Sequence, residues 1–254
     1  YTVGFQIGPR LNAAGRIDHA SIALRLLLSS DANEAGMLAL KLEALNRERQ
    51  EVVLKNIESL RTEYSQKEIN KIVLLKNEEW SAGIIGLIAG RMSEEFCRPV
   101  FCMSEEDGII KGSVRSSVDF NVVENLRVFE KMFINYGGHR GAGGFSLKSE
   151  DYTIFCEQIT CYGEEKLNDK DLVGYLDVEK EIEFEDINSD LYEAIRKFEP
   201  FGHSNEEPVF VTRDVKIKES KQVGKENSHT KLKLIKNGKE FDAILFNHGD
   251  VRDR

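Results

Sequence analysis

An α/β chain that turns all-β towards its carboxy end is the fold class this sequence predicts. Three observations predict it. Helical periodicity runs from Asp31 to about Tyr64 with no proline and with no glycine after Gly36. Short apolar runs then alternate with helical stretches over 67–168, as an α/β or α+β domain requires. From 208 onward come brief alternating strands around Asn237-Gly238, the strongest two-residue hairpin signal in the chain.

Taken in order, Tyr1 to Arg16 is rich in glycine, carries Pro9 and reads as a strand followed by a loop. A short helix follows, with Ala20, Ala23, Leu24 and Leu27 spaced for one buried face. Asp31 has the character of an N-cap, and Glu34 three residues on would complete a capping box. The long helix it opens carries an apolar stripe of Leu38, Leu42, Leu45, Val52, Ile57 and Leu60, and spans about 45–50 Å at 1.5 Å per residue. Strands are expected at 71–76, 99–103, 109–115 and 143–147, with helices at 83–96, 121–132 and 150–167. Asp107-Gly108 turns the second of these strands into the third. An acidic segment with one helix near 191–198 precedes the β runs at 209–211, 215–220, 231–235 and 241–246, about one strand short of a five-stranded OB-type barrel.

The 254 residues are 41% hydrophobic and 31% charged with only 4 prolines, which excludes disordered, collagenous and low-complexity classes. The longest apolar runs, such as Ile84 to Ala89, are too short to span a membrane. Four cysteines in this length make no disulfide scaffold, so a reducing cytoplasm is the simplest setting. Opening on Tyr1 rather than Met, the sequence is expected to be a piece of a longer protein. The net charge of −9 is concentrated in residues 150–207, where 5 Lys and Arg face 18 Asp and Glu; residues 208–254 are basic, 11 against 7. Screening confines exposed charge to about 8–10 Å, so a basic working surface is compatible with an acidic whole.

Gly137-Gly138-His139-Arg140-Gly141-Ala142-Gly143-Gly144 is the most unusual stretch. Its glycines let a backbone approach a ligand and aim its N–H groups at it, and His139 and Arg140 add donors, so a phosphate is the natural guest. A plain turn is the other reading. In Gly112-Ser113-Val114-Arg115-Ser116, alternation puts Ser113 and Arg115 on one face, a hydroxyl beside a guanidinium that suits a phosphate oxygen. From spacing alone, an edge-strand arginine paired with a carboxylate is the better reading. Gly8–Arg16 sets Arg10, Asn12 and Arg16 in a loop before a helix, either as a donor-lined wall or as a helix entry with surface arginines. Pro200-Phe201-Gly202-His203-Ser204-Asn205 reads as an interdomain elbow, and the lysine-rich strands beyond either track a phosphate backbone or form a solvated face. Cys97/Cys102 and Cys156/Cys161 read as buried thiols rather than zinc ligands. No Asp/His cluster of di-metal character, no Ser-His-Asp order and no Walker loop is visible.

Several segments, in order, resemble one family. GPRLNAAGR (8–16), LNRERQ (45–50), WSAGIIGLIAGR (80–91), Arg98-Pro99-Val100, GSVRS (112–116), GGHRGAGGF (137–145), PFGHSNEEP (200–208) and HTKLKL (229–234) are similar to stretches of the RecJ family. These are bacterial single-stranded-DNA-specific 5′→3′ exonucleases of the DHH phosphoesterase superfamily, acting in DNA repair and recombination. The resemblance implies the end of a DHH catalytic domain at 1–30, a connecting helix at 31–66 and a mixed-sheet DHH-associated, substrate-binding domain at 67–168. It further implies an acidic helical linker at 169–207 and a partial OB-fold at 208–254. The family's two Mn²⁺ or Mg²⁺ ions are held by Asp and His of the DHH domain, none of whose motifs occur here. The resemblance therefore assigns no catalytic residue and no metal ligand to this chain, which alone should be inactive. It places Ser113, Arg115 and His139, with Gly137 and Gly138, on the phosphates of single-stranded DNA, and Arg10, Asn12 and Arg16 at the strand's entry. Gly143 departs from the alanine common in the family's loop. A monomer without membrane contact is expected. The competing classes are a nano-oligonucleotide or cyclic-dinucleotide phosphodiesterase of the same superfamily, and a non-catalytic nucleic-acid-binding module.

Overall fold

The computed structural model describes residues 1–246 apart from Tyr175, His203, Lys225 and Glu226. The histidine of the expected elbow and the last eight residues of the expected OB-fold thus lie outside the described residues. The chain divides into two compact units, Tyr1–Gly174 and Tyr175–Arg254.

The first unit opens differently from the expected strand and loop. A π-helical stretch, Thr2–Ile7, runs directly into helix α1, Gly8–Ile17. Pro9 sits in the first turn, where its fixed φ and missing N–H suit a helix start. Ala13 and Ala14 then pack fully buried against Leu42 and Leu45 of helix α3, Ala32–Tyr64. Between them lies α2, Ser21–Leu28, whose buried face agrees with the expected one only at Ala23: Ile22 is buried with it, whereas Ala20, Leu24 and Leu27 face solvent. Asp31 caps α3 as expected, its Oδ1 accepting from the backbone N–H groups of Asn33 (2.7 Å) and Glu34 (3.3 Å). The reciprocal half of the capping box is absent, because Glu34 accepts from Arg25 and Ser29 instead. The α3 stripe of Leu38, Leu42, Leu45, Ile57 and Leu60 is buried, with Val52 half-buried.

A mixed five-stranded sheet follows. Its strands are β1 (Val73–Lys76), β2 (Val100–Glu106), β3 (Ile109–Arg115), β4 (Asn135–His139) and β5 (Ala142–Lys148), ordered β1-β2-β3-β5-β4, with only β1 and β2 parallel. Asp107 and Gly108 both have positive φ, 51° and 72°, so the β2–β3 hairpin turns where the sequence indicates. The glycine-rich stretch is the main departure: it forms the β4–β5 hairpin rather than a loop. Strand propensity reads it poorly, since glycine has no side chain to pack, yet cross-strand pairing holds it.

The two sheet faces differ. Phe101, Val114, Phe145 and Leu147 point to one side, where α5 (Val122–Arg127) and α6 (Tyr152–Lys166) cover them around Phe155 and Ile159. Val73, Leu75, Val100 and Cys102 point to the other, beneath α4 (Ile85–Phe96) and the end of α3. The cysteines depart from a uniformly buried set. Cys102 is fully buried, and burial pushes its thiol pKa up; Cys97 and Cys156 are half-buried, and Cys161 is exposed.

In the second unit, the acidic segment read as helical linker also contributes a strand. Strand β6, Lys180–Glu181, pairs in parallel with β7, Phe210–Val211. Ile182 and Phe184 just beyond it are buried, which is why an acidic run takes strand form. Helix α7 covers Ser189–Arg196, its cap supplied by Asn188. Asn205 donates to the carbonyls of Phe198 (2.9 Å) and Pro200 (3.0 Å) and ties the described part of the elbow. An antiparallel sheet then joins β8 (Lys216–Val223), β9 (His229–Lys236) and β10 (Lys239–Leu245). Asn237 and Gly238 have φ of 51° and 81°, as a type I′ turn needs. Leu232, Leu234 and Phe241 share one face, with Phe184 edge-on to Phe241; Lys231, Lys233, Glu240 and Asp242 share the other.

Candidate anion-binding site

Beyond the part of the sheet that α4 covers, the same face continues with small and polar side chains. Ser113 pairs with Gly144, which pairs with Gly137; Arg115 pairs with Ala142, which pairs with His139. Directly opposed residues of an antiparallel pair share a face, and alternate residues do so along a strand, so Ser113, Arg115, Gly137 and His139 all face one way. Arg115 and His139 are two strand spacings apart, about 10 Å. The floor between them is low: a Cβ on Gly137 would meet nothing within 4 Å, and one on Gly144 only a backbone oxygen at 3.5 Å. Gly138 points to the opposite face. Its φ of 153° and the Ala142 carbonyl oxygen, 2.3 Å from an ideal Cβ, leave room for glycine alone.

The wall of this floor is α4. Arg115 Nη1 donates to Ser113 Oγ at 3.0 Å and to its neighbour's carbonyl, Val114 O, at 2.8 Å. A Cβ on Gly86 would stand 3.1 Å from both Arg115 Nη2 and Ser113 Oγ, so the missing side chain is what admits the guanidinium. The end of α1 meets the turn before α4. Arg16 Nη1 donates to Gly83 O at 3.0 Å, and Gly83 lies so close to the Arg16 backbone that a Cβ would fall 2.1 Å from its oxygen. Burial, and then the charge of Arg16, hold the Arg115 guanidinium below its ordinary pKa; the same two causes act on Arg49 of α3. No carboxylate acts on either group among the described residues. Three guanidiniums therefore gather around the α1–α4 junction. Like charges that repel one another while partly desolvated make a poor structural device and a good receptor for a compact anion.

The structure sorts the expected site residues. It brings Arg16, Ser113 and Arg115 together and places Gly137 and His139 on the same sheet face. Arg10 is drawn away: its Nε is bonded to Glu43 of α3 and its Nη1 to Gln6 O, so its charge is already neutralised. Asn12 is exposed on α1 with no partner placing it in the cluster. Arg140, read as a donor of the glycine stretch, is paired with Asp119. Arg49 and the glycines of α4 are additional. Their signal was legible: Arg49 lies four residues after Leu45 on the apolar stripe of α3, a charge on a buried face, and Gly86 and Gly90 are spaced i,i+4 on one helix face.

A divalent cation does not suit this donor set, which offers guanidinium, hydroxyl and imidazole groups without a carboxylate. No group of three or more His, Cys, Asp or Glu able to hold a metal occurs among the described residues. Nor, among them, is any helix long and apolar enough to cross a membrane.

Comparison with known proteins gives this geometry a family. Residues 68–162 match the DHHA1 domain and residues 178–254 the RecJ OB domain. The single-stranded-DNA-specific exonuclease RecJ of Bacillus subtilis is 31% identical over 255 residues, covering 99% of this chain and 32% of that protein. RecJ of Thermus thermophilus is 33% identical over 249 residues, 98% of this chain and 35% of its own length. The crystal structure of Thermus thermophilus RecJ in complex with Mn²⁺ superposes with a TM-score of 0.81 at 30% identity, covering 98% of this chain and 36% of that one. The chain spans about a third of the length of these relatives. With a DHHA1 domain and a RecJ OB domain in succession and this likeness along nearly its whole length, the chain belongs to the RecJ family.

Proposed function

We propose that this chain supplies the strand-holding part of a RecJ-type, metal-dependent single-stranded-DNA 5′→3′ exonuclease. Hydrolysis, with its Mn²⁺ or Mg²⁺, is carried by residues other than those present here. The observation that carries the reading is the Arg115–Ser113 pair with the charge of Arg16 acting on it, without an ion-paired carboxylate among the described residues and opening onto the glycine floor. Arg115, pre-set by its bonds to Ser113 and Val114, binds a phosphate oxygen with the Nη2 it keeps free for it, and the Ser113 hydroxyl turns to a second oxygen. His139, exposed on edge strand β4 and in line with Arg115, meets the strand's backbone further along. Gly137 and Gly144 let the backbone approach without a side chain intervening. The contacts are to phosphate rather than to base edges, so the chain holds any sequence. The lysines of the OB domain add a second, diffuse attraction. The four free thiols accord with a cytoplasmic setting.

The test is direct. This chain should bind single-stranded oligothymidylate with an affinity that falls with salt, and bind a duplex of the same length more weakly. With Mn²⁺ added it should cleave neither. Equal affinity for duplex would remove strand selectivity from the reading, and Mn²⁺-dependent cleavage by this chain would overturn the division of labour.

A further inference from the structure

The long helix is more than a connector. Arg49 lies on its half-buried side, where burial and then the charge of Arg16 hold the guanidinium below its ordinary pKa and no carboxylate is ion-paired to it among the described residues. One turn earlier on the same face, Asn46 is only 4% exposed, and its Oδ1 is buried without a hydrogen-bond partner. A groove of about 590 Å³ opens between α3 and α4, with Arg49 among its walls, Val53, Ile57 and Leu87 as its apolar part, and Gly86 and Gly90 opposite; its one carboxylate, Glu94, is paired with Arg91 at 3.5 Å rather than with Arg49. Those two glycines also border Arg115: a Cβ on Gly90 would touch its Cγ at 3.9 Å, as one on Gly86 would its Nη2 at 3.1 Å. The groove thus begins where the guanidinium cluster ends. A half-buried charge without an ion-pair partner and a buried amide oxygen left unmatched are costly for the folded state alone, and a ligand that pairs with the charge makes sense of both.

We propose that Arg49 is a substrate-binding residue, a third phosphate-holding guanidinium that reaches the DNA strand from the long helix beside Arg16 and Arg115, with the adjoining nucleoside lying in the α3–α4 groove. This rests on the reading of the cluster as the strand's phosphate site. Asn46 acts as a positioning residue, its Oδ1 accepting from Arg49 once the guanidinium turns to the phosphate. The proposal separates Arg49 from a packing role by sign: a packing arginine stabilises the fold, whereas this one is held against repulsion.

The experiment titrates this chain with 3′-fluorescein-labelled oligothymidylate over a range of salt, for wild type, Arg49→Gln, Arg49→Lys and Arg115→Gln, with thermal melts alongside. Arg49→Gln should bind roughly tenfold more weakly and reduce the slope of log K against log[salt] by about 0.7, one single-strand phosphate contact. Its melting temperature should equal or exceed the wild-type value. Arg49→Lys should keep most of the slope. If Arg115→Gln loses affinity while Arg49→Gln keeps the wild-type slope, or melts lower with binding unchanged, the role of Arg49 is overturned and the phosphate site stands. If the wild type shows no salt-dependent binding, the phosphate-site reading and this inference fall together.

Discussion

Both units of this chain present cations, and they do so in opposite ways. In the first, Arg16, Arg49 and Arg115 gather half-buried with no carboxylate acting on Arg49 or Arg115 among the described residues. In the second, four of the seven lysines of the β8–β10 sheet are matched by acids among the described residues. Lys231 pairs with Asp242 at 3.0 Å, Lys233 with Glu240 at 3.8 Å, and Lys236 with Glu183 at 2.6 Å, while Lys218 also bonds to Glu240. Counting charges would choose the second as the anion site, for residues 208–254 are the basic segment. Desolvation and pairing choose the first. Exposed, paired lysines are screened and already satisfied, whereas a partly buried guanidinium without an acid gains most from an arriving phosphate.

The largest expected effect follows from that contrast. Arg115→Gln should cost about 2 kcal/mol of oligonucleotide binding, roughly thirtyfold in affinity, the worth of a charge-assisted hydrogen bond. Lys233→Gln should cost no more than about 0.5 kcal/mol. Equilibrium titration of the two variants under one salt condition checks the ratio, and equal losses would erase the distinction between the units.

A smaller effect isolates the role of α4. In Gly86→Ala the new methyl stands 3.1 Å from Arg115 Nη2 and Ser113 Oγ, both ends of side chains that can give way. Alanine also favours a helix over glycine by about 1 kcal/mol. The variant should therefore melt no lower than wild type while binding severalfold more weakly, about 1 kcal/mol. Loss of stability with unchanged binding would mean the glycine serves packing alone.

The sequence made much of this legible, and what it hid has physical causes. Regular elements with a strong period could be read: α3 ends at Tyr64 as its pattern says, and both Asp107-Gly108 and Asn237-Gly238 turn where their dipeptides require. Ser113 and Arg115 could be paired by strand alternation alone. Elements made by pairing rather than propensity were hidden, such as β4, whose Gly137 and Gly138 resemble loop residues until β5 supplies the partner. So was α1, where Pro9 looks like a breaker but occupies a first turn. Arg10 illustrates the limit for site residues. Its neighbour Glu43 is 33 positions away, and no local pattern reveals that this arginine is occupied while Arg16, six residues on, reaches the cluster.

Acid should narrow the contrast between the units, and this is the smallest effect expected. Lys218 and Lys231 hold the carboxyls of Glu240 and Asp242 below their ordinary values of 4.5 and 3.8. A carboxylate depressed in the folded state contributes stability that is present above its unfolded pKa and lost as pH falls through the folded one. The sheet's ion pairs are thus intact from neutrality to about pH 5 and fail only below about pH 4. Because these groups are exposed, the loss of stability is slight. The consequence for binding has the opposite sign: each acid protonated leaves its lysine free, so the sheet gains net positive charge. The guanidiniums of the first unit stay charged throughout. Oligothymidylate with a 5′-hydroxyl keeps its diesters ionised over this range and serves as the probe. Its affinity should be flat from pH 7 to about 5 and then rise modestly, less than about threefold, towards pH 4. Lys218→Gln with Lys231→Gln and Lys233→Gln should reduce that rise, and Arg115→Gln should leave it. A rise that vanished with Arg115 instead would place the acid-sensitive cations in the first unit, where the structure sets no carboxylate on Arg115 to release them.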